Sequence, residues 1–148
     1  MADDRGVSTS SKLGPQALAD RYIALWTEPG EQARRAAIHE LWAPGGVHVL
    51  LPPAEVVRVA AELGFGSPVF EARGHAAIET RVRRSYERFV ATGEFTFRTR
   101  GTAVRLGPVV KFEWSTVRVA DGEVAGGGLE VLLLDGNDAI SRDTMFPG

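Results

Sequence analysis

The chain has no cysteine. That absence removes disulfides, thiolate zinc sites and cysteine nucleophiles together. Lysine is almost absent too: only Lys12 and Lys111 occur, and the remaining positive charge is arginine. The formal net charge is −2, so no global field favours nucleic acid or an anionic membrane surface. No segment approaches the apolar length of a membrane span. The first eleven residues, Met1–Ser11, are polar and hold no apolar signal core, which makes the cytoplasm the expected location. There is no P-loop, no dinucleotide fingerprint and no Gly-x-Ser-x-Gly elbow. The three histidines show no ligand spacing, so neither a metal nor a cofactor is expected.

What is present fits one ordinary domain. At 148 residues, 44% apolar and 24% charged, the chain is long enough to bury a real core. Residues 1–13 are expected to form a disordered tail and 14–148 a single domain. Helical spacing over about Pro15–Thr27 puts Leu18, Tyr22, Leu25 and Trp26 on one face, and Pro29-Gly30 breaks it. A second helix is predicted over about Glu31–Trp42. Val47–Leu51 is predicted as a short strand, stopped by Pro52-Pro53. Ala54–Leu63 is amphipathic and, with Phe65 beyond it, makes a candidate lid. The longest helix is predicted over His75–Ala91, with Ile78, Val82, Tyr86 (or Ser85), Phe89 and Val90 on its apolar face.

After Gly93 the period changes to two, and turn signals at Gly107-Pro108, Asp121-Gly122 and Asp135–Asp138 separate four strands. Helices followed by an antiparallel meander make an α+β plan, with the helices on one face of the sheet. Gly126-Gly127-Gly128 lies inside a strand and marks a bend or bulge where the sheet curves.

Glu130 stands out in the apolar stretch Leu129–Leu134. A carboxylate there needs a partner or gives up its charge. It is either a neutral acid able to donate a hydrogen bond or a structural carboxylate satisfied by a helix or an arginine. His48 is the best candidate for a base, since an imidazole suits proton transfer near neutral pH. Alternation sets it opposite Val47, Val49 and Leu51, and that pattern favours the apolar set facing the helices. The arginines of the longest helix are interleaved with Glu79 and Glu87 and read as a solvated face.

Four segments carry a resemblance: Arg21–Trp26 in the first helix, Glu40–Val47 leading into the first strand, Gly74–Ile78 opening the third helix, and Asp135–Ile140 before the last strand. In this order and spacing they resemble the NTF2-like superfamily, in particular its SnoaL-like polyketide-cyclase and ketosteroid-isomerase branch, over about Pro15–Phe146. The resemblance implies a cone in which three main helices pack on a strongly curved antiparallel sheet, with a short lid helix and an apolar pocket. It also implies a homodimer through the outer sheet face.

For the site, the resemblance aligns Tyr22 with a first-helix tyrosine and Glu130 with a protonated acid, the two donors to a developing enolate oxygen. The position of the family's base falls at Leu51 or Pro52, neither of which accepts a proton. Family parity puts Ile140, Arg142, Thr144 and Phe146 inside, with Arg142 beside Glu130 and Asp143 outward. A pocket wall is expected from Trp26, Trp42, Leu51, Phe65 and Tyr86, together with Phe112, Trp114, Leu132, Thr144 and Phe146. The implied ligand is a small hydrophobic molecule. The implied chemistry is cofactor-free isomerisation, cyclisation or dehydration of a carbonyl compound; the other reading is a non-catalytic ligand-binding or dimerisation module.

Overall fold

Apolar spacing and chain breakers set the helices. In the computed structural model, which describes residues 13–66 and 70–148, α1 spans Pro15–Trp26 and buries Leu18, Tyr22, Leu25 and Trp26. Proline in its first turn gives up only an N–H that has no helical partner. α2 spans Glu31–Leu41 and buries Ile38 and Leu41. It also buries Arg34, whose Nη1 donates to the carbonyls of Glu28 and Pro29 at 2.8 and 3.1 Å and so closes the turn between the two helices. All but the last residue of the expected tail lies outside the described residues.

Trp42 does not end the second helix; it begins β1, Trp42–Leu50. α3, Ala54–Glu62, buries none of its residues and leaves the apolar Val56, Val59 and following Leu63 exposed. β2, Phe70–Arg73, is a four-residue strand too short to show a period. α4, His75–Ser85, runs into one π-helical turn at Tyr86–Val90. Four strands follow: β3 Phe95–Leu106, β4 Val109–Arg118, β5 Val124–Leu134 and β6 Ile140–Pro147.

The six strands form one curved sheet in the order β2-β1-β6-β5-β4-β3. The expected α+β plan holds, with one difference: β1 and β6 pair parallel, so the sheet is antiparallel at every junction but that one. The helices cover the concave face, and Tyr22, Ile38, Trp42, Ile78, Val82 and Leu132 form the dense part of the core.

Two irregularities decide which side chains reach the interior. In β5 the glycines let backbone and ring come close. A Cβ on Gly127 would lie 2.4 Å from the Trp114 carbonyl oxygen, and one on Gly128 would lie 2.5 Å from the Trp114 ring. The register also shifts between Thr116 and Val117, with Ala125 as the extra residue. In β6 the shift falls at Ser141: Ile140 pairs with Leu134, but Arg142 pairs with Leu133. One inserted residue reverses the facing of every residue that follows.

Candidate functional site

The Ser141 bulge corrects the expected parity of β6. Ile140 points in, and beyond the bulge Asp143 and Met145 do so, while Arg142 and Phe146 are exposed. Arg142 lies opposite Val47 and Leu133 on the outer face and is not the partner of Glu130. Thr144 shares that outward parity. Asp143, expected outward, is fully buried and is the diagonal cross-strand neighbour of Glu130, which pairs with Met145.

Tyr22 reaches from α1 to both acids. Its hydroxyl lies 2.9 Å from Glu130 Oε2 and 2.5 Å from Asp143 Oδ2. Trp114 Nε1–H donates to Glu130 Oε1 at 2.9 Å, a contact that the bare Cα of Gly128 permits. A phenol has one proton and cannot donate to two carboxylates at once. The closer acceptor is Asp143, so the order that satisfies both contacts of the hydroxyl is Glu130 O–H to Tyr22 Oη, and Tyr22 O–H to Asp143 Oδ2. The electrostatics agree. Burial, reinforced by the charge of Asp143, holds the Glu130 carboxyl well above its usual range, against the opposing pull of its contacts with the Tyr22 hydroxyl and the Trp114 N–H. Burial and the two neighbouring carboxyls raise the Tyr22 phenol well above its ordinary value, so it stays protonated.

His48 is buried and faces the helices, contrary to the alternation argument. β1 has neighbours on both sides, β2 and β6, and buries Val47 and Val49 on its outer face while His48 and Leu50 face the interior. His48 pairs in register with Asp143. Its Nδ1 lies 2.9 Å from Arg81 Nη1. A guanidinium only donates, so Nδ1 accepts and the ring proton sits on Nε2. Burial lowers the His48 pKa, the Arg81 charge lowers it further, and Asp143 opposes. His48 is therefore a neutral donor rather than the expected base. Its Nε2 lies 3.7 Å from Asp143 Oδ2, beyond a hydrogen bond.

One ligand atom each from His48, Glu130 and Asp143 falls within 4.8 Å of the others. The set does not fit a metal ion. Coordination needs the Nε2 lone pair, which the proton occupies, and both Glu130 oxygens are already engaged.

This cluster lies beneath an apolar cavity of about 440 Å³, which Tyr22 and His48 line and the two acids do not. Tyr22, Ile23, Trp26, His48 and Leu50 line one side, and Phe97, Trp114 and Met145 another. α4 and its π-helical turn add Arg81, Ser85 and Phe89, a stripe at four-residue spacing. Glu130 and Asp143 are 0% exposed and His48 is 1% exposed, so the acids lie just below the cavity surface. Among the cavity-lining residues and the acids beneath them, three fully buried polar atoms have no protein partner among the described residues: Trp26 Nε1, His48 Nε2 and Asp143 Oδ1.

Of the expected wall, the structure brings Trp26 and Trp114 to the cavity. Trp42, Phe112 and Leu132 lie in the core instead, Trp42 and Phe112 with ring centroids 5.7 and 5.4 Å from that of Tyr22. Leu51 and Phe65 are 48% and 68% exposed and do not line this cavity, because β1 ends at Leu50 and Phe65 follows the outlying α3. Tyr86 lies under the Arg34 guanidinium, 5.1 Å from its ring centroid, and Ser85 and Phe89 take the cavity positions. Arg81, expected in solvent, was missed, although Ser85 and Phe89 extend its stripe at i+4 and i+8. Asp143 was missed because no strict alternation places both Ile140 and Asp143 inside.

No protein-family model matches this chain, and no curated protein does. Solved structures match in fold. A SnoaL-like family protein from Agrobacterium tumefaciens, provisionally an isomerase, is 20% identical with a TM-score of 0.72, covering 92% of this chain and 99% of its own. A SnoaL-like protein of unknown function from Burkholderia thailandensis is 16% identical with a TM-score of 0.55, covering 90% and 97%. A provisional polyketide cyclase from Sinorhizobium meliloti is 11% identical with a TM-score of 0.54, covering 92% and 97%. The fold of this chain is the NTF2-like one of the SnoaL-like type. No helix among the described residues is long and apolar enough to cross a membrane.

Proposed function

We propose that this chain binds a small hydrophobic carbonyl compound and moves a proton on it without a cofactor, as an isomerase, cyclase or dehydratase. The observation that carries this reading is the Glu130–Tyr22–Asp143 hydrogen-bond chain beneath a cavity of about 440 Å³. The structural neighbours provisionally described as an isomerase and a polyketide cyclase support it as analogy of fold.

The residues divide the work as follows. The unpartnered N–H groups of His48 and Trp26, on rings 5.5 Å apart, donate to the carbonyl oxygen. Asp143, whose Oδ1 has no hydrogen-bond partner among the described residues, takes a proton from the adjacent carbon once the ligand displaces the side chains that cover it. The C–H electron pair moves into the new C–C double bond, and the charge on oxygen is held by the two donors. Asp143 then returns the proton to a different carbon. Asp143 thus supplies the carboxylate that Leu51-Pro52 lacks, from a neighbouring strand. Tyr22 and the neutral Glu130 hold it in place.

The complete burial of both acids favours a second reading, a non-catalytic binding protein for the same ligand class. Turnover and ligand-dependent melting against a panel of carbonyl compounds, on wild type and Glu130→Gln, separate the two. Turnover that falls in the variant while melting shifts persist supports the enzyme. Melting shifts with no turnover in wild type establish the binding protein. Turnover and binding unchanged in the variant remove Glu130 from any mechanism.

The exposed Val109, Leu133 and Phe146 on the outer sheet face support a homodimer through that face. Light scattering tests this, and a monomer at micromolar concentration contradicts it.

A further inference from the structure

Arg81 is the one basic side chain among the described residues lining the cavity apart from the neutral His48, and no carboxylate lines it. Its charge meets only neutral acceptors. Nη1 contacts His48 Nδ1, the His48 carbonyl and the Phe70 carbonyl at 2.9, 3.1 and 3.2 Å. Nε and Nη2 have no hydrogen-bond partner among the described residues. The carboxylate of Asp143 acts on this half-buried guanidinium only through space, from behind His48, so the two remaining donors at the wall of an apolar cavity are left for an anion to complete. One helical turn on, Ser85 presents a hydroxyl to the same cavity, and one turn further Phe89 begins the apolar wall. The stripe therefore runs from charge to hydroxyl to ring.

The geometry points to an apolar carboxylic acid as the ligand, its carboxylate held by Arg81 and Ser85 and its hydrocarbon against Phe89, Phe97 and Trp114. The two free donor positions of a guanidinium match the two oxygens of a carboxylate. Because Arg81 touches His48 itself, the carboxylate lies only a few bonds from the carbonyl that His48 addresses. That describes an oxo acid with a hydrophobic tail. This inference rests on the pocket reading above and narrows its substrate class.

Isothermal titration at neutral pH with 2-naphthoate, 2-naphthamide and methyl 2-naphthoate tests it. Naphthoate is expected to bind wild type at least about tenfold tighter than the amide or the ester, a difference of ~1.4 kcal/mol. In Arg81→Gln the preference disappears while amide binding persists. Ser85→Ala narrows the preference. Equal binding of the acid, amide and ester by wild type overturns the carboxylate inference and leaves the pocket reading standing. A preference that survives Arg81→Gln overturns the role of Arg81. No binding of any probe at about 1 mM overturns the inference and the pocket reading together. The wild-type comparison needs no variant, so it decides the carboxylate inference even where Arg81→Gln fails to fold.

Discussion

β5 and β6 lie side by side, and each carries one acid to the same point beneath the cavity, but they do so by different rules. β5 alternates regularly from Gly128 to Leu134, so Glu130, Leu132 and Leu134 share the inner face with no help from the neighbouring strands. β6 alternates only after a break. Ile140 and Asp143, three residues apart, both face in because Ser141 bulges between them. The regular strand places an acid that its own sequence announces. The irregular strand places one that only the pairing with β5 and β1 reveals. The same bulge sends Arg142, the obvious ion-pair partner by sequence, to the surface.

The largest expected effect tests that parity directly. Asp143→Asn removes the proposed proton acceptor with little change of shape and is expected to lower turnover of a substrate by about 10²–10⁴-fold, as loss of a general base does. Arg142→Ala is expected to leave turnover unchanged. The opposite ranking would break the comparison between the strands. The next effect sharpens the β5 side. Gly128→Ala places a methyl group against the Trp114 ring and the Phe146 carbonyl, and overpacking of this kind costs about 1–3 kcal/mol. Chemical denaturation measures the cost, and the displaced indole changes the tryptophan emission.

A third effect follows from the proton on Glu130. Its carboxyl pKa is raised in the folded state above the ordinary 4.5. The native state then binds more protons than the unfolded chain above that value. The stability this gives is fully present below about 4.5 and is lost as pH rises through the folded value, at about 1.4 kcal/mol per pH unit. His48 acts in the opposite direction: its depressed pKa costs stability as pH falls below the ordinary 6.5. The difference between wild type and Glu130→Gln isolates the acid. Melting temperature across pH 4.5 to 7 is expected to fall in wild type relative to the variant, and parallel curves would contradict a neutral Glu130.

Much of this architecture is written locally. The spacing of Leu18, Tyr22, Leu25 and Trp26 fixes α1 and its buried face, and the Asp121-Gly122 turn joins β4 to β5. Glu130 and Tyr22 were legible because each interrupts a regular apolar pattern with a polar atom. Asp143, His48 and Arg81 were not, for three physical reasons. A bulge is set by pairing with a neighbour, so Ser141 carries no signal of its own. Val47 and Val49 are buried on the outer face of β1 as His48 is on the inner, so alternation in Val47–Leu50 does not name the inner one. A long cationic side chain buries its stem while its head finds carbonyls, so Arg81 shares the helical pattern of a solvated residue.

The smallest expected effect bounds the outer face. Arg142→Ala is expected to change stability by less than about 0.5 kcal/mol, the ordinary range for an exposed side chain. A loss several times larger would restore Arg142 as a structural partner and weaken the contrast between the strands.

Two buried acids share the Tyr22 hydroxyl, and in the arrangement given above Glu130 holds the proton. Carbon-13 carboxyl NMR on protein labelled in glutamate and aspartate side chains observes this directly, with Glu130→Gln assigning the resonance. The predicted result is a Glu130 carboxyl carbon still at its protonated shift at neutral pH, far above the ordinary 4.5. A Glu130 signal that titrates fully near 4.5 would contradict it.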